Sequence, residues 1–445
     1  LLGSRVIRLP FIPYTSYPHE ILHNWWGNSV YVDYANGNWS EGLTSYLADH
    51  LLAEQRGRGS EHRRSSLQRY ADFVRHDNDL PLSKFQARHS TASQAVGYDK
   101  SLMLFHMLRR KLGDERFIDG LRRFYRDNRF QTAGFRQLQA AFEAAGESSL
   151  EDFFRQWVER TGAPRLALEQ VRVEVTPRGY RLTGTLRQTQ KASPFRLRVP
   201  LVIGFEDGAY RTEQVEMAQR QQTFRFDLGA TPLSLSVDPW FDLFRSLEPA
   251  ETPPALSQFF GAERVLILLP AAADAALMKG YRRLATRWAQ DYKQAEILLD
   301  RELDHLPDDR PVLLLGWENR FTAGFLENLS SYPFSREAGS LSLWGQSFDT
   351  ESHSFALTRR PADSTQTRLW VATRTAESLT GLARKLPHYG KYSALAFSGD
   401  APDNRLKRQW PVIGSPLQVA FSKAIPSPPP EPPPLSRMIE PVAEQ

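Results

Sequence analysis

The sequence predicts a multidomain α+β protein, and three successive changes of periodicity predict it. From Thr44 to Thr161 apolar residues recur every three or four positions, the spacing of helices that bury one face. From Arg165 to about Leu247 the period drops to two, in short alternating runs such as LALEQVRVEV and YRLTGTLRQT, which is the pattern of an antiparallel β-sandwich. Beyond residue 260, short apolar runs alternate with helix-like segments, predicting an α/β unit with a mostly parallel sheet. A chain of 445 residues is long enough for two to four units of this kind.

Residues 1–14, LLGSRVIRLPFIPY, read as a strand and a Pro-punctuated turn. The first unit is then organised around residues 18–49, PHEILHNWWGNSVYVDYANGNWSEGLTSYLAD. His19 and His23 are four positions apart, so on a helix they lie one turn apart on one face, and both imidazoles can reach one cation. Zinc suits such ligands. Glu20, beside the first of them, points at an open coordination position, where it can take a proton from a water. A third ligand should come from a second element, and Glu41 opens an apolar run, GLTSYLADHLL, with helical spacing. His19, His23 and Glu41 would thus hold one Zn2+ per chain. The other histidines, His50, His62, His76, His89 and His106, show no ligand spacing and read as surface or packing residues, and Trp25, Trp26 and Trp39 as core or pocket wall. Helical spacing resumes at Leu67, Tyr70, Phe73 and Val74, and a loop-like stretch, LPLSKFQARHSTASQAVG, follows. Further helices are expected to begin near Tyr98, Asp114, Gly134 and Ser149, the last stopped by Thr161, Gly162, Ala163 and Pro164.

These motifs resemble the gluzincin metallopeptidases and, within them, the aminopeptidase N family. After the HExxH helix, His23-Asn24-Trp25-Trp26-Gly27-Asn28 is similar to the family's His-x-Trp-x-Gly-Asn continuation. Trp39, Ser40, Glu41 and Gly42 resemble the start of its second helix, reached here with one residue fewer than usual in the intervening loop. The island GYDKSLMLFHMLRRKLGDERF from Gly97 looks like the family's Tyr-x-Lys helix, whose tyrosine bonds the oxyanion of the tetrahedral intermediate, and the resemblance gives that role to Tyr98. FFRQWVERTGAPRLAL from Phe153 is similar to the helix that closes the catalytic domain before a β-sandwich. The resemblance therefore implies a thermolysin-like zinc peptidase domain, here its C-terminal part, acting on a peptide or protein substrate. The family's Gly-x-Met-Glu-Asn strand, whose glutamate holds the substrate's amino group, has no match here: it either lies upstream of residue 1 or is lacking. SEGLTSYLAD also resembles the glycyl aminopeptidase relatives, which lack the Trp-x-Gly-Asn continuation. A reading from another class is an envelope scaffold or binding protein that keeps a remnant zinc fold, against which an intact Glu20 speaks, since a structural site needs no general base.

The expected boundaries are a zinc peptidase domain over 1–163, a β-sandwich over 164–247, a linker over 248–260, an α/β domain over 261–424 and a Pro-rich disordered tail over 425–445. In the α/β part no Gly-rich loop follows VLILLP, so nucleotide binding is not claimed, and Gly316 to Asn319 and Asp400 read as turn formers at strand ends. The chain has no cysteine, which excludes disulfides and thiolate ligands or nucleophiles. Its 56 Lys and Arg against 51 Asp and Glu leave a net charge of +5, spread along the sequence, with no nucleic-acid module. The basic runs at Arg63–Arg64 and Arg109–Lys111 read as solvated helix faces. No apolar run is long enough to span a membrane, and nothing in the sequence fixes an oligomeric state. The start at Leu1, close to the zinc helix, reads as an N-terminally incomplete chain; the compartment stays open, with an exported or cell-envelope location suspected, and any export signal would lie in the part that precedes residue 1.

Overall fold

The computed structural model describes residues 8, 12, 16–361, 363–412, 414–422 and 430–438, so the strand and turn expected over 1–14 fall almost wholly outside the described residues. The chain forms two compact units, one of residues 1–248 and 415–445, the other of residues 249–414. Among the described residues no helix is long and apolar enough to cross a membrane.

The first unit begins with α1 (Ser16–Leu22), β1 (Trp26–Gly27) and β2 (Val30–Val32). Next, α2 (Ser40–Thr44) runs through a π-helical turn, Ser45–His50, into α3 (Leu51–Gln55), making one rod. After α4 (Gly59–Phe73), a second rod joins α5 (Thr91–Gln94), a π-helical turn Ala95–Lys100 and α6 (Ser101–Leu112). α7 (Asp114–Asn128), β3 (Thr132–Ala133), α8 (Phe135–Gly146) and α9 (Glu151–Phe154) complete the helical part. The four helix starts expected near Tyr98, Asp114, Gly134 and Ser149 match α6 to α9 in place. α7 shows why: Asp114 and Glu115 sit in its first turn and Arg126 in its last, complementing the helix dipole, while Phe117, Leu121 and Phe124 form a buried stripe. α6 is the central helix, with Leu102 to Leu108 buried on every side.

The sandwich follows as β4 (Leu166–Thr176), β5 (Gly179–Gln188), β6 (Leu197–Phe205), β7 (Tyr210–Met217), β8 (Gln221–Leu228) and β9 (Pro232–Val237). One antiparallel sheet is β4-β5-β8 and the other contains β9-β6-β7. The alternation test missed β7 because its YRTEQVEM sequence is mostly polar; it is an edge strand that buries only Val215 and Met217. Helical part and sandwich share one core, where the Tyr70 and Phe244 rings meet at 4.8 Å and those of Trp157 and Phe195 at 5.4 Å.

The second unit contains α10 (Leu256–Phe260), β10 (Arg264–Leu269), α11 (Ala275–Ala289), β11 (Gln294–Leu299), β12 (Val312–Leu315) and α12 (Thr322–Glu327). A three-stranded meander follows, β13 (Phe334–Glu337), β14 (Ser340–Leu343) and β15 (Gln346–Asp349). Then come β16 (His353–Arg359), β17 (Arg368–Ala372), α13 (Ala376–Lys385), β18 (Ala394–Ser398) and β19 (Asp403–Arg408). The main sheet, β11-β10-β12-β17-β16-β18-β19, is parallel from β11 to β17 and antiparallel from there on. It is therefore mixed, which corrects the expectation of a mostly parallel sheet. The cause lies in the connections: β16 and β17 are joined by residues 360–367, and a parallel crossover needs a dozen residues or more.

Two expected boundaries also shift. Of the stretch expected as a linker, 248–260, all but Glu248 belongs to the second unit, whose core takes Leu256 and Phe259 of α10. The α/β unit ends at Gly414 and not at 424, because β20 (Gln418–Ala420) returns to pair antiparallel with β9 of the sandwich. The expected disorder of the tail does not hold for residues 430–438: Leu435 is 1% exposed and begins a short 3-10 turn, Leu435–Met438. Nor are Arg63 and Arg109 on solvated faces. Both are 2% exposed, and carboxylates distant in sequence receive them, Asp242 for Arg63 and Glu54 for Arg109.

Candidate metal centre

α1 carries His19 and Glu20, and His23 lies one turn on, just past its last residue. Two local features then turn the chain so that His23 stays beside α2. The Trp26 carbonyl accepts a hydrogen bond from His23 Nδ1 at 2.9 Å and another from the Ser40 hydroxyl. Gly27 follows at φ +122°, a left-handed conformation that suits glycine, and a Cβ there would come within 3.0 Å of Ser40 Oγ and 3.6 Å of His23 Nδ1. The Trp-x-Gly pattern is thus explained by its contacts. Trp39, fully buried, donates its indole N–H to the Ala133 carbonyl at 2.7 Å and fixes the start of α2.

Three donor atoms converge between these elements. His23 Nε2 lies 3.2 Å from His19 Nε2, and Glu41 Oε2 lies 3.4 Å from each of them. Tetrahedral zinc with bonds of about 2.0–2.1 Å holds its ligands about 3.3 Å apart, so the triangle has the dimensions such an ion requires. The tautomers agree. His19 gives its Nδ1 to Asp49 at 2.9 Å and His23 gives its Nδ1 to a backbone carbonyl, which leaves both Nε2 lone pairs facing inward. The charges agree as well. Burial alone would lower the His19 pKa, but Asp49 and Glu41 more than offset it and carry it up to about 9. Burial would raise that of Glu41, yet His19, His23 and Tyr98 hold it down to about 2. The cage therefore favours positive charge at its centre, and the residues present fit a divalent cation of zinc's preferences. Among the described residues, His19, His23 and Glu41 form the one group of three or more His, Asp or Glu side chains placed to share a metal.

Tyr98 arrives from the second rod. Its ring stacks over His19 at 6.2 Å and its hydroxyl is bonded to Glu41. Burial, and after it the charge of Glu41, raises its pKa, so the phenol keeps its proton and remains a donor. Glu20 is close enough for its charge to add to that rise. The rods approach very closely at Gly42, where a Cβ would come within 1.9 Å of Ser101 Oγ, so only glycine admits the spacing that brings Glu41 to Tyr98. All five residues singled out in the sequence, His19, Glu20, His23, Glu41 and Tyr98, come to this one place. Asp49, Ser40 and the Trp26 carbonyl, which orient the ligands, were not singled out.

Residues 16–157 match the model of the peptidase family M1 domain. The chain is similar to the alanine/arginine aminopeptidase of Saccharomyces cerevisiae, 22% identical over 216 residues, 46% of this chain and 25% of that protein. It is also similar to aminopeptidase N of Lactococcus lactis, 26% identical over 162 residues, 34% of this chain and 19% of that one. Among solved structures it is similar to that of Legionella pneumophila aminopeptidase A in complex with aspartic acid, with a TM-score of 0.41, 19% identity and coverage of 60% of this chain and 29% of that one. The chain thus spans a quarter or less of the length of these two curated relatives.

Proposed function

From the match of residues 16–157 to the peptidase family M1 domain and the similarity to aminopeptidases N, we propose that this chain carries the metal centre and general base of a zinc-dependent aminopeptidase. The observation that supports this most is the triangle of His19 Nε2, His23 Nε2 and Glu41 Oε2 at 3.2–3.4 Å, with the carboxyl of Glu20 on the same helix as the first ligand. Bound there, Zn2+ supplies Lewis acidity, polarising a scissile carbonyl and bringing water near neutrality in acidity. Glu20 would serve as general base towards the attacking water and then as general acid towards the leaving amine. Tyr98, a neutral donor beside Glu41, gives its hydrogen bond to the oxyanion as charge develops on the carbonyl oxygen. Asp49 and the Trp26 carbonyl hold the imidazoles so that neither ring has to turn during the reaction.

Hydrolysis of two matched peptides, one with a free amino terminus and one acetylated, tests the reading on the full-length protein with and without a chelator. Cleavage of the free peptide alone, lost on chelation and restored by zinc, is the expected result. Equal cleavage of both peptides would replace the aminopeptidase by an endopeptidase, and cleavage of neither would overturn the enzymatic role.

A further inference from the structure

The Pro-rich segment SPPPEPPPLSRM has no part in the reading above, yet its described residues make specific contacts with the helical part of the first unit. α4 starts without a side-chain cap of its own, since Arg58 provides none. Glu431 takes that place: its carboxylate accepts from the Ser60 backbone N–H at 3.0 Å and from the Ser60 hydroxyl, and lies 3.8 Å from Arg63 Nη2. Two residues on, the Pro433 carbonyl accepts from Arg109 at 3.4 Å. Leu435 then buries its side chain, and its N–H donates to Glu54 Oε2 at 2.9 Å. Prolines suit this placement, because an extended chain with few N–H donors leaves little unsatisfied against a receptor that offers cations and one carboxylate.

The receptor groups lead to the metal centre. Glu54 lies in α3, at the far end of the rod that carries Glu41 and Asp49, and is held from the other side by Arg109 at 2.9 and 3.0 Å. Arg63 reaches the same rod, where its Nη1 lies 2.7 Å from Nε2 of His50, the neighbour of Asp49. We propose that residues 430–438 act as a strap, an extended Glu-Pro-Pro-Pro-Leu peptide that docks on α3 and α4 and keeps the rod of Glu41 and Asp49 in place for metal binding. The strap is held at three points, Glu431, Pro433 and Leu435, with one buried apolar side chain between α3 and α7, so it docks reversibly and its release loosens the rod. The strap itself is independent of the peptidase reading; only its effect on zinc depends on that site.

The test compares the full chain with Glu431→Ala, with Leu435→Asp, and with a chain ending at Pro429. Two quantities are read, amide hydrogen exchange over residues 40–55 and zinc affinity by competition with a chelator. Faster exchange along the rod and zinc binding about tenfold weaker are expected in all three. A synthetic peptide of residues 430–445, added to the shortened chain, restores slow exchange, and the same peptide carrying Glu431→Ala does not. If the shortened chain does not fold, the two full-length substitutions decide. Unchanged exchange in both would overturn the strap, as would equal rescue by the two peptides. Altered exchange in a protein that binds no zinc would keep the strap and remove the metal site.

Discussion

Asp49 offers the sharpest test of how the proposed metal ligands are held. Among the described residues its carboxylate is the side-chain carboxyl bonded to the outer nitrogen of His19, at 2.9 Å, whereas the outer nitrogen of His23 meets the Trp26 backbone carbonyl at 2.9 Å, which no substitution removes, and the Ser40 hydroxyl at 3.2 Å. Asp49→Ala frees the His19 ring to rotate and removes the negative charge that strengthens it as a ligand. Partners of this type are worth about 10- to 100-fold in metal affinity, or about 1.4–2.8 kcal/mol. The Asp49 side chain is 30% exposed and that of His19 12%, so solvent screening places the loss toward the lower end of that range. Asp49→Asn keeps an acceptor for the Nδ1 proton and loses only the charge, so it should weaken zinc less than the alanine does. Competition titration against a chromophoric chelator at fixed pH and ionic strength measures both. An alanine variant within twofold of the wild type, or an asparagine variant weaker than the alanine, would refute the orienting role.

Gly42→Ala should destabilise the protein by about 1–3 kcal/mol through collision with Ser101, and adding Ser101→Gly should recover part of that loss in urea unfolding; a double variant less stable than Gly42→Ala alone would contradict the packing argument. Tyr98→Phe removes the proposed oxyanion donor and should lower kcat by about 10²–10³ with KM little changed, and steady-state kinetics that show a change in KM alone would assign Tyr98 to substrate binding. Lys100, 1% exposed and bonded to the Arg160 carbonyl at 2.6 Å, has its pKa lowered to about 8 by burial. Between pH 8 and about 10.4 the unfolded chain therefore holds this proton more tightly than the folded one, so stability rises with pH across that window by up to about 3 kcal/mol. The penalty is fully present below pH 8. Unfolding curves at pH 7, 8 and 9.5 should show this rise in the wild type and not in Lys100→Met, and parallel behaviour would refute it.

The proposed metal ligands were legible because each lies in a short local motif. His19 and His23 share one helical turn, and Glu41 opens the next apolar helix. Asp49 was not legible for a geometric reason. It lies eight residues after Glu41, which on an ideal α-helix points it about 80° away. The π-helical turn Ser45–His50 absorbs an extra residue and brings it within about 20° of the Glu41 direction, and no periodicity in SEGLTSYLAD announces that turn. The same limit explains the other corrections. Arg63 and Arg109 looked like surface cations because two of the carboxylates that receive them, Asp242 and Glu54, are 179 and 55 positions away, although Arg109 also pairs with Asp114 nearby. In the second unit the apolar run at β18 reads equally well in either direction, and only its pairing with β16 makes it antiparallel. The tail's composition argued for disorder, since Pro-rich chains bury little, and the anchors at Glu431, Pro433 and Leu435 are too few to be seen as a pattern.

Zinc content tests the central claim most directly. The wild type, Glu41→Ala and Glu20→Gln would be dialysed against dilute zinc, the metal measured by elemental analysis, and peptide hydrolysis followed in the same samples. One zinc per chain in the wild type, little or none in Glu41→Ala, and one zinc without turnover in Glu20→Gln are the predicted results. A Glu41→Ala protein that retains its zinc, or a Glu20→Gln protein that retains its activity, would contradict the ligand set or the general base.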